Sequence, residues 1–353
     1  MPNLDVRIVE AKTSNSSSQL HIGRGAVKVL NDLLPRDANK ALVITQEWIE
    51  RKLDINLEHD YFFVPDGEVA KSFQYVEKAV REMAQSDFHR NDLVITLGGG
   101  VVSDLGGFIA AIYNRGVRVI HLPTTLLGQV DASIGGKTGI NLKEGKNLVG
   151  AFLQPSAVVI DPNFLETLPR REWNNGYGEV AKYELIGAGH LHDLDLVEQI
   201  FNCALFKSKV VEEDEFEHTG KRALLNYGHT LAHALETLGF ADEGGGEASS
   251  KEILRHGEAV GVGVVFAAQL ACKLGRIGEE RLGVHKDVVE SYGLSTELPD
   301  GLSATAVIRV MKRDKKSTGS LAFVLDGENG VELVHDVDES EVYTALRDFG
   351  ALE

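Results

Sequence analysis

Five short runs rich in β-branched and other apolar residues, at 41–45, 61–64, 93–97, 117–122 and 158–160, read as buried strands. Between them, stretches such as 71–85 repeat apolar residues at helical spacing. Strands alternating with helices predict an α/β domain on a mainly parallel sheet, assigned to residues 1–161. From 162 to 353 the texture changes. Helical periodicity covers 171–185, 221–238, 256–274 and 304–312, so a second, mainly α-helical domain is expected there. Near the end, apolar runs at 321–325 and 331–334 flank Asp326-Gly327-Glu328-Asn329-Gly330, a β-hairpin signature. Residues 241–251, with three consecutive glycines and two serines, read as a mobile loop.

Composition narrows the classes. With 353 residues and 43% apolar content the chain can fill two hydrophobic cores. Its formal charge of −17 argues against nucleic-acid or anionic-membrane partners, both of which need a basic footprint. No apolar run approaches the roughly 18 residues of a membrane helix, and the first residues lack signal-peptide features, so a cytoplasmic protein is expected. Cys203 and Cys272 form no C-x-x-C pair, which leaves two packed, reduced thiols rather than a disulfide framework or thiolate metal site.

Three motifs carry chemistry. The strand at 93–97 runs into Gly98-Gly99-Gly100-Val101-Val102-Ser103-Asp104, where side-chain-free backbone lets N–H groups approach a pyrophosphate at the start of a helix. The spacing differs from Gly-x-Gly-x-x-Gly, which disfavours an ordinary Rossmann dehydrogenase; a tight turn without ligand is the bland alternative. Arg222, Asn226, His229 and His233 follow at intervals of four, three and four, which predicts one polar stripe on an otherwise apolar helix. Two imidazoles one turn apart can share a metal, with Glu179 and His256 as further candidate ligands, although a surface histidine pair has the same spacing. Finally, Gly135-Gly136-Lys137 and Gly145-Lys146-Asn147 place lysines beside glycines, as suits a loop wrapped around an anion or, equally, a solvated turn.

Together with Leu122-Pro123-Thr124-Thr125, Phe164-Leu165-Glu166-Thr167 and the block from Arg222 to His233, these segments resemble the 3-dehydroquinate synthase family over most of the chain. The resemblance implies a dehydroquinate synthase-like fold, with NAD held by Asp66, Gly67, Glu68, Lys71, Gly100, Val101, Val102, Ser103, Asp104, Thr124, Thr125, Lys137, Lys146, Phe164, Leu165, Glu166 and Thr167. It also implies Zn2+ or Co2+ on Glu179, His229 and His256. Substrate contacts would come from Arg115, Asp131, Lys137, Lys146, Asn147, Lys182, Lys207, Arg222, Asn226, His233 and the Lys315-Lys316 pair. Catalysis would fall to Lys137, Lys182, Glu217, Arg222, Asn226 and His233.

The implied reaction converts 3-deoxy-D-arabino-heptulosonate 7-phosphate to 3-dehydroquinate and phosphate, a lyase step of the shikimate pathway to chorismate and aromatic amino acids. A secondary alcohol is oxidised, phosphate leaves, the hydride returns, and an intramolecular aldol step closes the carbocycle. The partner is thus a small phosphorylated sugar acid, and a homodimer is left open. The chain departs from the family pattern in a residue inserted between Glu217 and Arg222, in Ser103 for a usual glycine, in Thr45-Gln46-Glu47 for Asp-x-Asn, and in a longer interval from His233 to His256. Another sugar-phosphate cyclase, such as an aminodehydroquinate synthase, and an iron-containing or glycerol dehydrogenase are the enzyme rivals. A non-catalytic binding paralogue would have lost several of these charged residues.

Overall fold

The computed structural model describes residues 5–13, 16–49, 53–239, 241–242, 254–314 and 321–353. Most of the loop read at 241–251, together with Lys315 and Lys316, lies outside the described residues. Two compact units form. The first takes the chain as far as Pro169 together with Asp195–Phe216; the second takes Arg170–Leu194 and the described residues from Glu217 onward. Where the sequence pattern suggests one boundary after residue 161, the chain passes between units at 169/170, 194/195 and 216/217.

The first unit contains β1 (Arg7–Lys12), β2 (Ser17–Ile22), β3 (Lys40–Gln46), β4 (Glu58–Val64), β5 (Leu93–Gly98), β6 (Arg118–Pro123), β7 (Lys137–Leu142), β8 (Gly145–Phe152) and β9 (Ala157–Ile160). Seven of them make one sheet in the order β1-β2-β9-β6-β5-β3-β4, parallel except for the β1–β2 pair. Its helices are α1 (Leu30–Leu33), α2 (Phe73–Gln85) and α3 (Gly100–Ile112); α4 (Arg170–Tyr183) opens the second unit, and α5 (Leu196–Glu213) returns to the first, against β1 and β2.

The unbroken apolar runs have a direct cause. Leu42, Ile44, Val94 and Val119 face a core with Val76 and Met83 of α2 and Leu105 and Ile109 of α3. Their neighbours Val43, Leu93, Ile95 and Ile120 face the other side, with Leu30 of α1 and Phe164. Because β4 and β5 lie on opposite sides of β3, the connections leaving β3 and β5 diverge. That switch of direction opens a crevice at the carboxyl ends of these strands, the usual ligand position in such sheets.

The second unit is built from α4, α6 (His229–Thr237), α7 (His256–Lys273), α8 (Glu279–Ser291), α9 (Ala304–Asp314) and α10 (Glu339–Asp348). Helix α7 packs against α4, α6, α8 and α10. Residues Val262 to Ala268 of α7 are buried on every side, so this is the central helix of the unit. Leu321–Leu325 and Glu332–Val337 pair antiparallel, as the hairpin signature predicts. Among the described residues no helix is long and apolar enough to cross a membrane.

Two local expectations are corrected. The periodicity over 221–238 predicts one helix, but Arg222–Asn226 forms a separate 3-10 turn and α6 begins only at His229. Gly228 lies between them at φ +80°, pressed against α7: a Cβ on Gly263 would come within 2.1 Å of the Gly228 carbonyl oxygen. The predicted four-residue stripe is therefore broken, and only His229 and His233 share a helix. The lysine-bearing segment 137–150, expected as a wrapping loop, is the β7–β8 hairpin.

Candidate functional site

In the first unit, β5 delivers its chain into the glycine turn at the switch point. Gly99 caps α3, and the first N–H groups of a helix have no acceptor within it. A Cβ on Gly99 would lie 3.0 Å from Thr125 Cγ2, and one on Gly100 3.1 Å from the Ala132 Cβ, so larger residues would fill the cradle. Thr124 donates its backbone N–H to the Gly98 carbonyl at 2.9 Å, while its Oγ1 is buried with no hydrogen-bond partner. A bare helix start with an orphaned buried hydroxyl fits a dinucleotide pyrophosphate. Asp66 accepts from Gln46 Nε2 at 2.9 Å and from the Gly67 N–H at 3.0 Å, at the ends of β4 and β3. Gln46 thus holds a defined place, where the sequence marks it only as a departure from the family pattern. Phe164 and Leu165 are buried in a 3-10 turn capped by Asp161; Glu166 and Thr167 follow, exposed.

Lys71 is the hub of this unit's charged groups. It is buried, and its Nζ lies 2.7 Å from Asp104 Oδ2 and 2.5 Å from Asn147 Oδ1. Burial pushes the Asp104 carboxyl above the usual range, opposed by the Lys71 ammonium. Asn141 accepts from the Asn147 N–H at 2.9 Å and donates to Glu68, tying the hairpin to the 66–71 segment; nothing in the sequence assigns Asn141 this role. Lys137 and Lys146 are exposed on this hairpin. Lys207, from α5, donates to Asp131 at 2.8 Å through both the carboxylate and the backbone carbonyl. Arg115 is not brought into this group. It precedes β6 at φ +65°, exposed, at the end of the sheet opposite the glycine turn.

In the second unit, Glu179, His229 and His256 offer one ligand atom each, all within 4.8 Å of one another. His229 Nε2 and His256 Nε2 lie 3.6 and 3.7 Å from the same Glu179 oxygen. Two ligands about 2.1 Å from a tetrahedral zinc sit roughly 3.4 Å apart, so the spacing suits such an ion. The tautomers suit it too: His229 Nδ1 donates to the Tyr227 carbonyl at 3.1 Å and His256 Nδ1 to Glu236 Oε1 at 2.7 Å, leaving both Nε2 lone pairs for a metal. Burial lowers the His229 pKa to about 3, so the imidazole is neutral, as a ligand must be.

Glu179 is fully buried and ion-paired with Lys182 one turn on, and Lys182 also donates to the Leu225 carbonyl at 2.8 Å. His233 stacks edge-on to His229, with ring centroids 5.5 Å apart, but is exposed and stands outside the ligand set. Arg222 is buried, with Glu217 Oε1 4.0 Å from its Nε. Glu217 itself is exposed at φ +60°, and Asn226 is exposed at the end of the 3-10 turn. Sequence reasoning missed Glu236, although it continues the His229-His233 face at the next interval of three. It also missed Asn175, one turn before Glu179 on α4.

A doubly wound α/β unit and a helical unit with a Glu-His-His cluster together define the dehydroquinate synthase-like class of fold. The 3-dehydroquinate synthase N-terminal family matches residues 61–175 and the 3-dehydroquinate synthase C-terminal family residues 176–317. The chain belongs to the 3-dehydroquinate synthase family. It is 44% identical to a "Putative aminodehydroquinate synthase" of Amycolatopsis mediterranei, over 96% of this chain and 93% of that one. It is 38% identical to a 3-dehydroquinate synthase of Nitrobacter hamburgensis, over 99% and 96%. The fold is similar to that of 2-deoxy-scyllo-inosose synthase crystallised with carbaglucose-6-phosphate, NAD+ and Co2+, with a TM-score of 0.84 and 23% identity over 97% of this chain and all of that one.

Proposed function

We propose that this chain is a cytoplasmic 3-dehydroquinate synthase, converting 3-deoxy-D-arabino-heptulosonate 7-phosphate to 3-dehydroquinate and phosphate with recycled NAD and Zn2+ or Co2+. The observation that carries the reading is the Glu179-His229-His256 cluster in a chain matched by both halves of the family. When bound, NAD supplies a reversible hydride acceptor and the metal supplies Lewis acidity toward a secondary alcohol.

The remaining work falls to side chains. The glycine turn and Thr124 receive the dinucleotide, and Lys71 balances the carboxylates around it. Lys137, Lys146 and Asn147 present cationic and amide groups to an anionic substrate, as Lys207 does with Asp131. Lys182 pairs with the Glu179 carboxylate and fixes its position. His233, exposed to proton exchange with solvent and one turn beyond a metal ligand, serves proton transfer, and Arg222 pairs with a substrate anion.

A second reading, formation of the amino analogue, is favoured by the 44% identity to the Amycolatopsis relative. Phosphate release from the heptulosonate phosphate and from its amino analogue, each with NAD and Zn2+ or Co2+, tests both. At least tenfold higher kcat/KM on the heptulosonate supports the first reading, and the reverse preference supports the second. Release from neither substrate overturns both.

A further inference from the structure

The two imidazoles of the cluster are held by different chemistry. His229 Nδ1 meets a neutral acceptor, the Tyr227 carbonyl, at 3.1 Å, whereas His256 Nδ1 meets a carboxylate, Glu236 Oε1, at 2.7 Å. Glu236 follows His229 by seven residues on α6, so both lie on one helix face. Its side chain is only 8% exposed, and burying a carboxylate is costly unless a strong donor meets it. One such donor, His256 Nδ1, belongs to the cluster. His256 is also the first residue of α7, where the positive end of the helix dipole favours a nearby anion.

We propose that Glu236 is a positioning residue of the metal centre, an inference that rests on reading the cluster as a metal site. Its carboxylate fixes His256 in the Nδ1–H tautomer, aims Nε2 at Glu179, and makes the imidazole a stronger donor through the negative charge behind it. Of the two imidazoles, His256 is the one whose ligand strength is set by a charge. Outer-sphere partners of this kind typically change metal affinity about 10- to 100-fold when removed.

The test uses the full chain, stripped of metal and titrated with Zn2+ against a competing chelator, as wild type, Glu236→Gln and Glu236→Ala. Thermal unfolding of each metal-free protein is followed in parallel. The glutamine variant keeps an acceptor and loses the charge, so its Zn2+ dissociation constant is expected to rise about tenfold; the alanine variant loses both and is expected to rise nearer a hundredfold. Glu184→Gln is the control. Glu184 accepts from the Leu191 and His192 N–H groups at 3.0 Å and from Tyr292 Oη at 2.7 Å, so this change should lower thermal stability without moving zinc affinity. Should the alanine variant fail to fold, the glutamine variant decides. A dissociation constant within twofold of wild type in every folded Glu236 variant overturns the proposal, as does an equal loss in the Glu184 control. A wild type that binds no zinc overturns the metal-site reading itself, and the proposal with it.

Discussion

Asn175 Oδ1 accepts a hydrogen bond from the Gly257 backbone N–H at 2.8 Å, joining the helix that carries Glu179 to the first turn of the helix that opens with His256. The two backbones touch around it. A Cβ on Gly178 would fall 1.9 Å from the Gly257 carbonyl oxygen, and one on Gly257 1.8 Å from that of Asn175. Neither α4 nor α7 can yield cheaply, because backbone rather than a flexible side chain blocks the way.

Gly178→Ala is accordingly expected to destabilise the protein by about 3 kcal/mol and to reduce bound metal, since it pries two ligand-bearing helices apart. Gly283→Ala, in α8 with nothing within 4 Å of the added Cβ, is expected to stabilise by about 0.5–1 kcal/mol through helix propensity alone. Urea denaturation with metal analysis checks both. Equal effects at the two sites would contradict the close-packing argument.

His229→Ala should lose bound metal, because it removes one of the three proposed ligands and opens the centre to water. His233→Ala should retain metal near the wild-type level while turnover falls about 10²- to 10⁴-fold. Metal content of the two purified variants separates the roles. Equal loss would make His233 a ligand, and full retention in both would remove α6 from the centre.

Buried His121, hydrogen-bonded to Thr96 at 2.7 Å, has its pKa lowered by burial from 6.5 to about 4. Between those values the unfolded chain binds more protons than the folded one. The contribution is thus complete above about pH 6.5 and is lost as pH falls toward 4, to the extent of about 3 kcal/mol. His121→Gln should flatten the dependence of stability on pH across that window. Parallel curves for variant and wild type in urea denaturation would show that His121 is not the cause.

The inner parallel strands were legible because both sheet faces are covered, so 41–45 and 93–97 could carry apolar residues without interruption; β4, expected as a buried strand at 61–64, is the sheet edge and is buried on one face only, with Phe63 exposed. The β1–β2 hairpin was missed: its alternating pattern of exposure belongs to a half-covered sheet margin and is weak in so short a run. The break at Gly228 was hidden for another reason. Helical periodicity is local, while the left-handed turn there packs against Val260, Gly263 and Val264 of α7, more than 30 residues later. Resemblance names Glu179, His229 and His256 as candidate ligands, but spacing alone treats His229 and His233 alike; only the fold brings His256 and Glu179 to one of them. Glu236 and Asn141 escaped because their roles consist of holding another side chain, and that has no signature in the chain itself.

A cyclisation that recycles its cofactor leaves a distinct stoichiometry. Metal-loaded protein supplied with 3-deoxy-D-arabino-heptulosonate 7-phosphate and a small amount of NAD, with phosphate and NADH followed together, tests it most directly. Phosphate is expected in many-fold excess over total NAD, with no accumulating NADH. Phosphate matched one-for-one by lasting NADH, or NADH formed without phosphate, would contradict it and point to a dehydrogenase.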